Sequence, residues 1–119
     1  MKRVLVIEDD EAIREAVAEV LAAEGYEVTE AANGLEGLHE ARARPPCLIV
    51  LDLMMPTMNG WQFREAQRQE PALADIPVIV ISAYCDIEGP SLYESARFPK
   101  PFDLVTLLLA VDKYAARDL

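Results

Sequence analysis

Positive charge is scarce in this chain. Eleven Lys and Arg stand against 21 Asp and Glu, for a formal net charge of −10 at pH 7. Nucleic acid and anionic membranes are both held by basic patches, so direct binding of either is not expected. Cysteine and histidine are rarer still: Cys47, Cys85 and His39 complete the count. That leaves no thiol or imidazole cluster for zinc or copper and no disulfide framework. Reduced thiols and a cytoplasmic location are expected, with His39 on a solvated helix position. Long apolar runs are also missing. "MKR" is followed by only four apolar residues, Val4 to Ile7, and then by "EDDE", which is no secretion signal. The longest apolar stretch, "LVTLLLAV" at 104–111, is too short to span a bilayer. No repeat, low-complexity tract or linker divides the chain, so a single domain over 1–119 is expected.

What is present is a strict alternation of two patterns. The composition is 52% hydrophobic and 27% charged, which suits a folded domain and not a disordered one. "RVLVI" at 3–7 is a compact apolar run. From Glu11 the spacing becomes helical: Ile13, Val17, Val20 and Leu21 share a face, and Gly25 supplies a stop. "YEVTEA" at 26–31 alternates as a strand does. "GLEGLHEARAR" at 34–44 reads as a helix ended by Pro45-Pro46, with Gly34 and Gly37 serving helix entry and packing. "CLIVLD" at 47–52 is a buried strand. A helix follows around 59–70, with Trp61, Phe63 and Ala66 as packing residues. "VIVIS" at 78–82 is another buried strand. The segment 85–96 is the weakest helix, short or distorted, with about two turns after Pro90 at most. "ARF" at 96–98 is a short strand. Asp103 then caps a last helix whose stripe is Leu104, Leu107, Leu108 and Val111.

Five β-α units with apolar runs in strands 1, 3 and 4 predict an α/β, doubly wound (βα)5 flavodoxin-like sandwich. Its five-stranded parallel sheet takes the order 2-1-3-4-5. Ligands in such folds bind beyond the carboxyl ends of the strands, at the switch point between strands 1 and 3. Strand 1 ends in Glu8-Asp9-Asp10, strand 3 in Asp52 and strand 4 in Ser82, and strand 5 ends just before Lys100. Any one of these alone reads as a helix cap or a solvated loop residue; four on one edge read as a site. Glu8, Asp9, Asp52 and Lys100 sum to −3 + 1 = −2. Two carboxylates about 4 Å apart repel by roughly 4 kcal/mol at an effective dielectric near 20. The cluster must protonate, splay apart or hold a cation. An all-oxygen donor set with an open face suits Mg²⁺, which commonly bridges to a phosphate. Lys100, one of three lysines, is held between Pro99 and Pro101, which restrict the backbone around it. Cys47 and Cys85 fall at opposite ends of adjacent strands, roughly 15 Å apart at 3.3 Å per residue, too far for a disulfide.

In this order, "VLVIEDDEAIRE" at 4–15, "LIVLDLMMPTMNG" at 48–60, "PVIVISAY" at 77–84 and "PKPF" at 99–102 resemble the receiver domains of two-component response regulators. The resemblance covers essentially the whole chain. It implies Asp52 as the phosphoacceptor, taking its phosphoryl group from a sensor histidine kinase or a histidine phosphotransfer protein. The Ile13-Arg14 pair sets the register of the acids. By that register Asp9 is the direct Mg²⁺ ligand, Glu8 acts through water, and Asp10 caps the first helix. Met54 would lend its backbone carbonyl to the metal while its side chain packs, as would that of Met55. Ser82 takes the place of the switch hydroxyl, Lys100 that of the phosphoryl counter-charge, and the Lys100-Pro101 bond is expected to be cis. Such a domain catalyses only its own phosphorylation and dephosphorylation; its output is a binding surface. The chain would be free-standing or cut from a longer regulator, with no output domain, and a monomer or weak phosphorylation-dependent dimer.

Two departures from the family pattern fall together. Arg97 occupies the switch position three residues before the lysine, where the family has an aromatic. Phe98 faces the other way, and Tyr84 and Tyr93 are both open as substitutes. Seventeen residues separate Ser82 from Lys100, several fewer than is typical. These features keep a second reading open, an interaction module that binds constitutively with vestigial switching. A phosphatase or nucleotide enzyme on the same fold is a weaker third, since "DLMMP" has no second acid two residues on and there is no Walker sequence.

Overall fold

A computed structural model describes residues 2–83 and 94–115. Its strands are β1 (Arg3–Ile7), β2 (Glu27–Ala31), β3 (Leu48–Asp52), β4 (Val78–Ser82) and β5 (Ala96–Pro99). Among the described residues its helices are α1 (Glu11–Ala23), α2 (Gly34–Ala43), α3 (Gly60–Arg68) and α4 (Leu104–Ala115). The weak helix expected within 85–96, together with Tyr84, Cys85 and Tyr93, lies outside the described residues. All strand pairs are parallel, in the order β2-β1-β3-β4-β5. That is the expected doubly wound arrangement.

Local chemistry sets the helix ends. Asp10 caps α1 by accepting from the Ile13 N–H at 3.1 Å, and Gly25 follows its C-terminus at φ 97°, where a side chain would be strained. Asn59 and Gln62 form a reciprocal capping box at α3. Asp103 caps α4, accepting from Val105 N–H and the Thr106 hydroxyl. Helix α3 is shorter than its pattern suggested, and its packing face is partly polar. Phe63 is fully buried, Trp61 and Ala66 only partly so, and Arg64 and Gln67 are buried beside them. Gln67 holds the chain that follows α3 by donating to the Leu73 and Ile76 carbonyls, and accepts from Arg64 at 2.8 Å. Burying these polar groups is tolerated because each is bonded.

Side-chain alternation splits the core in two. Val4, Val6, Leu48, Val50, Ile79 and Ile81 meet Val17, Leu21, Leu107 and Val111 on the α1–α4 face. Leu5, Ile7, Ile49, Leu51, Val78 and Val80 meet Leu38, Ala41 and Phe63 on the α2–α3 face. Period-2 alternation with both faces covered is why these strands read as unbroken apolar runs. Phe63→Ala should lower the unfolding free energy by about 3–5 kcal/mol. Urea unfolding monitored by circular dichroism measures this, and an unchanged midpoint would remove Phe63 from the core.

Candidate functional site

The switch point falls between β1 and β3, where the chain's winding reverses. Register then decides which residues meet there. Ile7 pairs with Leu51, so Glu8 and Asp52 lie side by side one step on. Asp52 pairs with Ile81 and Ser82 with Pro99. Lys100 N–H donates to the Ser82 carbonyl at 3.1 Å, bringing the lysine in directly after β5, and the Lys100-Pro101 bond is cis.

The four sequence-derived residues therefore converge. Glu8 is 0% and Asp52 1% exposed, and Ser82 is buried as well. Lys100 Nζ lies 2.5 Å from Glu8 Oε1 and 3.5 Å from Asp52 Oδ1. Asp9 is exposed, and carboxylate oxygens of Glu8, Asp9 and Asp52 all lie within 4.8 Å of one another. Asp10 turns away to its capping role. Met54 differs from expectation: its side chain is 46% exposed instead of packed, because Leu53 takes the buried place after β3 and the chain then turns outward. The neighbouring Met55 does pack on the α2–α3 face. Met54's backbone N–H stands against the Asp52 carboxylate. Arg97 sits on β5 opposite Val80 and donates to Glu94 at 2.6 Å, while Phe98 packs on the α1–α4 face. His39 is exposed, as expected.

Close backbone approaches hold Asp52 in place. Gly60 N–H donates to the Leu53 carbonyl at 2.9 Å, and a Cβ there would stand 2.5 Å from the Asp52 carbonyl oxygen. Gly34 N–H donates to Met58 O at 2.9 Å, tying the loop after β3 to the start of α2. Thr57, in that loop, adopts φ 67°, an uncommon conformation for a β-branched residue. Gly34 opens α2 as its sequence position suggests. Gly60 bears no sequence mark beyond its place directly after the Asn59 cap.

Burial raises the Glu8 pKa to about 7; contact with Lys100 opposes this and the neighbouring Asp52 adds to it. Asp52 is also raised by burial, against the pull of Glu8 and Lys100. Burial would lower Lys100, but Glu8 and Asp52 outweigh it and the net shift is upward. The lysine is thus held charged while the two buried carboxyls resist ionising together. The donor set is all oxygen, Glu8, Asp9 and Asp52 converge within 4.8 Å, and Lys100 is the ammonium paired with Glu8 and Asp52, so these residues fit a hard divalent cation such as Mg²⁺.

Fold and cluster define a class: a doubly wound α/β domain with buried carboxylates and one lysine at its switch point. The response regulator receiver domain model matches residues 4–112. Response regulator RR06 of Streptococcus pneumoniae is 42% identical over 109 residues, covering 88% of this chain and 49% of that protein. Sporulation initiation phosphotransferase F of Bacillus subtilis is 33% identical over 117 residues, covering 95% and 93%. Among solved structures, the Francisella response regulator 1452 receiver domain matches with TM-score 0.90 at 27% identity, covering all of both chains. Chemotaxis response regulator CheY4 of Vibrio cholerae matches at 0.85 and 31%, covering 96% and 98%. The chain belongs to the response regulator receiver domain family and is a receiver domain of two-component signalling. It spans about half the length of several regulators it matches. No helix among the described residues is long and apolar enough to cross a membrane.

The Glu8 shift has a direct consequence for stability. A carboxyl whose pKa rises on folding, here from 4.5 to about 7, stabilises the fold fully below the lower value. That contribution is lost as pH climbs through the upper one. The metal-free protein should therefore lose thermal stability across this window, and Glu8→Gln should flatten the decline. Melting curves in chelator at stepped pH check this; equal slopes for the two proteins would exclude Glu8 as a source.

Proposed function

We propose that Asp52 accepts a phosphoryl group from a phosphohistidine on a sensor histidine kinase or histidine phosphotransfer protein. An Asp52 carboxylate oxygen attacks phosphorus, the P–N bond breaks, and the imidazole leaves, taking a proton. The observation that carries this reading is a buried aspartate at the switch point, with Lys100 and two further carboxylates within reach of it. A carboxylate attacking an anionic phosphoryl group meets repulsion, so positive charge must stand beside both.

Lys100 supplies one such charge and keeps it, since its acidic neighbours hold its proton. Glu8, Asp9 and Asp52, with the Met54 carbonyl, would hold Mg²⁺, Glu8 acting through water. When bound, the ion neutralises and orients phosphoryl oxygens. The Ser82 hydroxyl meets a phosphoryl oxygen, and the local shift passes to the β4–β5 edge, where Arg97 takes the switch position in place of an aromatic. The product of the reaction is an altered binding surface for a protein partner, in the cytoplasm.

The ion pair between Arg97 and Glu94 supports a second reading, in which the β5 edge binds its partner constitutively. The two separate in one series of measurements. Acetyl phosphate with Mg²⁺ should add a phosphoryl group, seen as a mass adduct, to the wild type and not to Asp52→Asn. Lys100→Ala should slow that addition by about a hundredfold. No adduct, or an equal one on the asparagine variant, would overturn phosphoacceptance. An adduct that leaves the amide spectrum around Ser82 and Arg97 unmoved would select the constitutive module.

A further inference from the structure

Arg14 has no part in the phosphoryl transfer proposed above, beyond marking the register of the acids. Its surroundings are specific. Arg14 Nη1 donates to the Glu8 backbone carbonyl at 2.9 Å, and Nε donates to Glu30 Oε1 at 3.2 Å. Its side chain is only 17% exposed, against 41% for Glu30. Its own N–H accepts its place in the helix by donating to Asp10 O at 2.9 Å.

We infer that Arg14 is a positioning residue for the acidic cluster, clamping the Glu8–Asp9 peptide so that both carboxylates face Asp52. β1 stops pairing with β3 at Ile7 and Leu51, so the Glu8 carbonyl has no partner in that ladder. A carbonyl at the end of a buried strand needs a donor, and Arg14 provides a charged one. The other groups of Glu8 are also held. Its N–H donates to Ala31 O at 3.0 Å, its Oε2 accepts from Asp10 N–H at 3.2 Å, and its Oε1 meets Lys100. The guanidinium thus fixes the last free rotation, that of the peptide between the two acids. Glu30 on β2 holds the second edge of the fork, so the clamp is braced across two strands. An ammonium at this position has no planar fork with which to reach both oxygens.

The inference rests on the cation site proposed above, and the test separates the two. Isothermal calorimetry of Mg²⁺ binding should show Arg14→Gln weakened about tenfold, the usual effect of losing an outer-shell partner. Phosphorylation by acetyl phosphate should then need more Mg²⁺ for half-maximal rate yet recover at saturation, which a general loss of fold would not do. Arg14→Lys and Glu30→Gln should each fall between wild type and Arg14→Gln. In the metal-free protein the Asp9 and Asp10 amides should exchange faster in Arg14→Gln. Wild-type affinity in a folded Arg14→Gln overturns the inference. If that variant does not fold, wild-type affinity in both milder variants overturns it. Failure of the wild type to bind Mg²⁺ counts instead against the cation site, and unchanged amide exchange in Arg14→Gln then overturns the clamp as well.

Discussion

Setting Glu8 and Asp52 side by side without water is the constraint on which the rest of the molecule depends. Burial drives both carboxyls toward protonation, and at Glu8 the neighbouring Asp52 adds to it. A single ammonium, Lys100, answers them, and the exposed Asp9 deepens the deficit. The cluster is therefore incomplete as a set of protein charges. Such a set could hold a cation, and on the proposed reading this imbalance is what connects an acidic fold to phosphoryl chemistry.

Such a cluster holds its shape only if its backbone is rigid. The central strands supply that through two packed faces, and the loops supply the rest through backbone contacts that leave no room for a side chain. Gly60 against the Asp52 carbonyl and Gly34 against Met58 are the tightest of these. The Arg14 fork does for β1 what those contacts do for β3. Scaffold residues thus act on the site by fixing peptide planes, without touching the reacting atoms.

On the proposed reading, Arg97 gives output a different physical basis. An aromatic at a switch position would respond by changing where it packs. An arginine paired with Glu94 would respond by changing its ionic partner, a response that depends on charge and salt rather than on a cavity. Phe98 cannot stand in, because alternation sends it to the opposite face of the sheet.

Much of this was legible in the chain. Unbroken apolar runs at 4–7, 48–51 and 78–81 pointed to buried parallel strands, since a sheet covered on both faces accommodates them. Glu8, Asp52 and Ser82 directly follow those runs, and prolines flank Lys100. Asp10 was readable as a cap and Gly25 as a stop because those roles follow from local backbone chemistry. Tertiary structure decided the rest. Arg64 and Gln67 are buried because the chain after α3 folds back to satisfy them. Met54 turned outward because Leu53 claimed the core. Gly60 and Arg14 gained their roles from backbone atoms seven and six residues away, through a turn and a strand end that no periodicity records. Hydrophobic pattern and capping are properties of neighbours along the chain. Close approach and charge pairing are properties of neighbours in space, and only the folded sheet brings those together.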